Sequence, residues 1–177
     1  GPVALARRGA SVAGLGDVNG DGYEDVAWIQ EWFSDGESGE GLVEVFHGGP
    51  DGPGAAPDWT WQPDQISVGD DLRVAAAGDV NADGFADLLV GVPDWISAAG
   101  SGAGRAVLFL GAAAGLEASP QWSVEGDEAD GALGFALSGT GDVDGDGFGG
   151  VLVGAPAWSG GVGGQGRALF FEANADG

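Results

Sequence analysis

The sequence predicts an all-β protein built from one four-stranded antiparallel unit repeated about three times. Three observations carry this. Glycine is the outlier of the composition, with 38 of 177 residues, yet it follows no collagen triplet and accompanies 44% apolar residues, so it serves many tight turns rather than disorder. The apolar runs have strand length, and no stretch carries a helical apolar stripe. Finally, the chain repeats itself: Gly16-Asp17-Val18-Asn19-Gly20-Asp21-Gly22 returns as Gly78 to Gly84 after 62 residues and as Gly141 to Gly147 after a further 63.

The repeat extends beyond these loops. Trp59 and Trp122 lie 63 residues apart, as do Trp95 and Trp158, while Arg105 and Arg167 lie 62 apart. Units of about 9–70, 71–132 and 133–177 follow, the last incomplete because Gly177 aligns with Gly115 ahead of any fourth strand. The length suits a single structural unit.

The second unit gives the elements in order. Leu72 to Ala77 is a first strand of apolar and small residues, the Asp-rich loop follows, and Ala86 to Val92 is a continuous apolar run closed by Pro93. A long Gly, Ser and Ala loop ends at Gly104. Ala106 to Leu110 is a third strand, and Gln121 to Val124 a shorter, more polar fourth. Apolar inner strands with a polar, aromatic last strand suit a small sheet buried on both faces except at its edge. A four-stranded sheet of about 60 residues repeated head to tail is the pattern of a β-propeller blade, which buries its faces only against its neighbours.

On these residues the chain resembles the FG-GAP repeats of the integrin α-chain β-propeller and its bacterial relatives. Leu133-Gly134-Phe135-Ala136-Leu137 looks like the motif's opening, Gly141 to Gly147 like its calcium loop, Val153-Gly154-Ala155-Pro156 like its "GAP", and Gly166 to Phe171 like the strand that follows. The copies differ. The first reads Ile29-Gln30-Glu31 where the others have Gly-Val-Pro or Gly-Ala-Pro, which predicts a different course for the loop behind it; the second has Asp71-Leu72 where a glycine is expected.

Calcium takes six to eight oxygen ligands, and carboxylates at every second residue of a tight turn converge on such a point. The resemblance implies that loop positions 1, 3, 5 and 9 bind through side chains and position 7 through its carbonyl. The sites would be Asp17, Asn19, Asp21, Tyr23 and Asp25; Asp79, Asn81, Asp83, Phe85 and Asp87; and Asp142, Asp144, Asp146 and Phe148. Glycine at position 6 (Gly22, Gly84, Gly147) supplies a positive φ. Position 9 of the third loop is Gly150, so that site loses a ligand and is expected to bind more weakly, with a water in the gap. Asp144 in place of Asn keeps its carboxylates at three.

Competing readings fail on particular residues. An EF-hand needs a bidentate Glu at position 12, where this chain has Trp28, Val90 and Val153. A dockerin loop is followed by a helix, whereas Leu88-Leu89-Val90 and Val151-Leu152-Val153 read as strands. Ordinary Asn-Gly and Asp-Gly turns do not account for three in-phase copies with three carboxylates each, since unpaired acids so close repel one another.

The charge is −23, from 28 acidic and 5 basic residues, which argues against nucleic acid or an anionic membrane as partner. There is no cysteine, so metal remains as the available staple. No run approaches the ~20 apolar residues of a membrane span. Gly1-Pro2 is neither a signal peptide nor an anchor and reads as the scar of a removed tag, the native N-terminus being absent. One histidine, His47, no cysteine and no phosphate loop argue against an enzyme. Trp59 and Trp122 are expected to pack on outer strands, Trp95 and Trp158 to sit on the rim, and Arg105 and Arg167 to bond to loop carboxylates.

The expectation is therefore a non-catalytic, calcium-binding propeller module, secreted or at the cell surface, with up to three mainly structural calcium ions. As the resemblance implies, the rim would bind a protein or glycan in adhesion. Alternatives are a lectin-like propeller or an accessory domain of a larger secreted enzyme. Rings close with roughly four to eight blades, so three blades predict self-association or an exposed edge.

Overall fold

The computed structural model describes residues 7–161 and 163–174. Gly1-Pro2 and Gly177 lie outside the described residues. The first sheet is β1 (Arg7–Gly16), β2 (Asp25–Glu31), β3 (Leu42–Phe46) and β4 (Trp59–Trp61); the second is β5 (Arg73–Gly78), β6 (Asp87–Val92), β7 (Arg105–Phe109) and β8 (Trp122–Glu125). The third, of β9 (Ala136–Gly141), β10 (Gly150–Ala155) and β11 (Arg167–Glu172), has three strands among the described residues. Each sheet is an antiparallel meander with strands adjacent in chain order. Strand limits in the second unit agree with the hydrophobic pattern to within a residue or so.

Each first strand breaks register just before its Asp-rich loop, and β1 has a second break between Arg8 and Val12. The irregularity falls between Gly14 and Gly16, between Ala76 and Gly78, and opposite Gly150 and Val151. Gly16, Gly78 and Gly141 there have φ of 93°, 82° and 65°, a region that costs a residue with a Cβ roughly 1–2 kcal/mol. A bulge bends the strand and strengthens its twist, which aims all three loops in the same way.

The sheets stack as successive propeller blades, with β1, β5 and β9 side by side, and they do not close a ring. The middle blade explains the unbroken apolar run of β6, all six residues of which are buried. Leu88 and Val90 join the core shared with the first blade, alongside Ile29, Val43, Val45 and Phe109. Leu89 faces the other way, with Val80, Leu108 and Val151. Each such side chain contributes roughly 1.5–3 kcal/mol by leaving water. The outer blades keep one face uncovered among the described residues, where Val12, Leu152 and Phe170 are exposed.

The loop after Glu31 differs at its start and not at its end. β2 runs to Glu31 and Trp32 turns the chain with a φ of 56°, whereas Pro93 and Pro156 take the second position of turns closed by Trp95 N–H to Val92 O and Trp158 N–H to Ala155 O. All three loops then finish alike, with Gly41, Gly104 and Gly166 donating to Phe33, Trp95 and Trp158. Trp59 and Trp122 stand edge-on to Phe109 and Phe171 at 4.9 and 4.8 Å, so both pack from the last strand of one blade onto the third strand of the next.

Candidate metal centre

The loops between the first and second strands are built by one hydrogen-bond pattern. The position 1 carboxylate accepts backbone N–H groups from the turn around it: Asp17 from Gly20, Asp21 and Gly22 at 2.6–3.1 Å, Asp79 from Asp83 and Gly84, and Asp142 from Gly145 and Gly147. Position 3 accepts from the N–H of position 5, as Asn19, Asn81 and Asp144 do. Position 5 accepts from position 7, whose N–H belongs to Tyr23, Phe85 or Phe148. Gly22, Gly84 and Gly147 have φ of 90°, 94° and 97°, the conformation expected of position 6.

This curl gathers the side chains of positions 1, 3 and 5. In the third loop, where all three are acids, Asp142, Asp144 and Asp146 each place an oxygen within 4.8 Å of the others. The first two loops relieve part of the repulsion with an amide, since Asn19 Nδ2 donates to Asp21 at 3.0 Å and Asn81 Nδ2 to Asp83 at 2.8 Å. Desolvation pushes the Asp17 pKa upward, but the N–H groups of Gly22, Gly20, Asp21 and Asn19 outweigh it and hold the acid below its ordinary value.

Position 9 is different in kind. Asp25 and Asp87 are fully buried at the starts of β2 and β6. Asp25 accepts from Val18 N–H at 2.8 Å and from Gly48 N–H at 2.7 Å; Asp87 accepts from Val80 and Gly111, both at 2.8 Å. Each thus clamps the loop to the strand end across the sheet, and each oxygen keeps a second lone pair for a cation. Burial raises the Asp87 pKa to about 6, with the charges of Asp83 and Asp79 adding to it and the Gly111 and Val80 N–H groups opposing it. Gly150 makes no such clamp, and the residue paired with it across the sheet is Glu172. Glu172 was not among the expected ligands. Its signal lay in the repeat, where it aligns with Leu110 and His47.

The loops sit at the seams between blades. Ala86 N–H donates to Asp17 O and Ala112 N–H to Val18 O, while Gly149 N–H donates to Val80 O. The Phe85 ring lies so close to Gly20 that a Cβ there would come within 2.6 Å of it.

On the opposite rim the tryptophans and arginines are already engaged. The Arg105 and Arg167 guanidinium groups each lie 4.7 Å over the rings of Trp95 and Trp158. The indole N–H groups donate to Glu125 and Asp127, and Arg167 also forks onto Asp127 at 2.7 and 3.0 Å. Of the two arginines, only Arg167 reaches a loop carboxylate by an ion pair among the described residues. His47 Nε2 is buried without a hydrogen-bond partner.

Comparison with known proteins agrees with this architecture. The FG-GAP-like repeat family matches residues 17–90 and the FG-GAP repeat family residues 73–109. The chain belongs to the FG-GAP repeat proteins. Among similar proteins, integrin alpha-3 of Cricetulus griseus is 31% identical over 76% of this chain. Integrin alpha-PS2 of Drosophila melanogaster is 40% identical over 48% of it, and integrin alpha-IIb of Mus musculus 34% identical over 51%. This FG-GAP chain spans only 6–13% of the length of these relatives. No helix among the described residues is long and apolar enough to cross a membrane.

Proposed function

We propose that the chain is a calcium-stabilised, non-catalytic β-propeller module that presents its rim to a protein partner in adhesion. The observation that carries this reading is the hydrogen-bond pattern repeated in three loops, which in the third brings three carboxylates within 4.8 Å of one another. The donor set fits the ion. Carboxylate and amide oxygens at alternate positions, with no sulfur or imidazole among them, suit calcium rather than a softer metal.

Asp17, Asn19, Asp21 and Asp25 with the Tyr23 carbonyl would hold one ion, and Asp79, Asn81, Asp83 and Asp87 with the Phe85 carbonyl a second. Asp142, Asp144 and Asp146 with the Phe148 carbonyl would hold a third. Bound calcium would supply the positive charge that lets these acids stay ionised side by side. The role is structural, because the first two loops are tied by backbone bonds to the next blade, and a module of this kind suits a calcium-rich setting outside the cell or on its surface. A glycan at the rim is the less favoured ligand, since Arg105 and Arg167 already cover one face of Trp95 and Trp158. Thermal melting with calcium and after chelation tests the proposal. The melting temperature should fall by several degrees when calcium is withdrawn, and identical melts would reject the reading.

A further inference from the structure

Besides carrying Asp144 in place of Asn, the third loop differs from the other two at its ninth position and at one position across the sheet from it. In the first blade, extending the β2–β3 register by one residue sets Asp25 opposite His47; in the second, extending β6–β7 sets Asp87 opposite Leu110. In the third blade Gly150 pairs directly with Glu172. The carboxylate lost from the loop's ninth position therefore reappears on the adjacent strand, in the only one of the three pairs that lacks it on the loop.

The two positions share a face. A Cβ built on Gly150 would come within 2.6 Å of the Phe170 ring and 2.9 Å of Thr140 Oγ1, and Phe170 and Glu172 lie two apart on β11, so their side chains point the same way. Directly opposed residues hold their Cβ atoms about 4.5–5.5 Å apart. The Phe170 ring thus takes the room that an aspartate at position 150 would need, and a longer acid one strand away lies within electrostatic reach of the same loop, outside the 4.8 Å group of Asp142, Asp144 and Asp146. The Glu172 side chain is exposed and makes no hydrogen bond or ion pair among the described residues. The charges that act on it are those of Asp144, Asp146 and Asp142.

We infer that Glu172 supplies, from the neighbouring strand, the ninth-position carboxylate that the third loop lacks, so that the third calcium site is assembled across two strands. This rests on the reading of the loops as calcium sites. With Asp142, Asp144 and Asp146 the site then has four acids, against three acids and an amide in the other two. It is no longer the weak member of the set, and the expected water is replaced by a side chain.

Calcium titration by calorimetry, followed in parallel by the amide NMR signal of Gly147 in the third loop, tests this on the intact chain. The variants are Glu172→Gln and, as a charge-matched control on an exposed loop, Glu37→Gln. The expected result is three ions on the unaltered protein and the Glu37→Gln control. In Glu172→Gln the Gly147 response should shift to about tenfold higher calcium, because affinity follows the number of ligating charges, while the Gly22 and Gly84 responses stay in place. If the unaltered protein fills only the first two loops, or Glu172→Gln titrates like the control, the Glu172 assignment is overturned and the calcium reading stands. If no loop binds calcium, both fall.

Discussion

Asp87 is asked to be ionised in a place that favours its neutral form. It must accept two backbone N–H groups, yet burial raises its pKa from 3.8 to about 6. A folded-state pKa above the unfolded one means that the native chain binds more protons between those values, so stability falls as pH rises through about 6. In calcium-free protein, denaturant unfolding should therefore show stability increasing from pH 7 to about 5, by roughly 1 kcal/mol. Asp94 and Glu172, also raised, act in the same direction. Asp17, Asp127 and Glu128 are lowered and lose their contribution only at more acid pH. Calcium held by the loops would keep Asp87 ionised and flatten the profile, and a calcium-free profile that is flat already would count against this account. At this scale the sequence was informative about chemistry and silent about direction. The pattern Asp-x-Asn-x-Asp-Gly-x-x-Asp marks Asp87 as a ligand candidate, but its clamp on Gly111 depends on a residue 24 positions away. Glu172 was hidden for the same reason, since its partner Gly150 is visible only once β10 and β11 are in register.

Among the elements, strands were legible because each blade is local: its four runs follow one another and pair with their neighbours in sequence. The contacts between blades were not legible in the same way. Gly91, the glycine of the Gly-Val-Pro turn, shows what the pattern concealed. A Cβ there would collide with the carbonyl oxygen of Gly134 in the next blade, so this glycine is required for close approach rather than for a turn. Gly91→Ala should destabilise the chain by about 3 kcal/mol or more, near the upper end for overpacking against a backbone that cannot move aside. Gly154 occupies the same motif position in the third blade, where the tightest contact of a Cβ would be the Ala136 methyl at 3.0 Å. Gly154→Ala should cost distinctly less. Urea denaturation of the two variants measures the difference, and equal losses would mean that the seam is not what Gly91 protects.

The whole molecule carries −23, and three calcium ions would bring it to −17 (−23 + 6 = −17). Self-repulsion on this scale loosens any compact chain, so simple salt should raise the melting temperature of the calcium-free protein as well. The two effects separate by concentration. Sodium acts by screening, with a Debye length near 8 Å only at about 0.15 M, whereas calcium bound in the loops should saturate at millimolar levels or below. A melting temperature that responds to calcium only as it responds to sodium at equal ionic strength would reduce the loops to acidic turns. The uncovered faces with Val12 on the first blade and Leu152 and Phe170 on the third were foreseeable from counting blades, because a sheet that buries itself only against neighbours leaves its outermost faces bare. The seam bonds add a matter of timing. The first loop receives the N–H groups of Ala86 and Ala112 on the carbonyls of Asp17 and Val18, so a chain emerging N-terminus first leaves that loop unfinished until residue 112 has been made. Val80 waits in the same way for Gly149, so the first two blades are each completed by the birth of the one after.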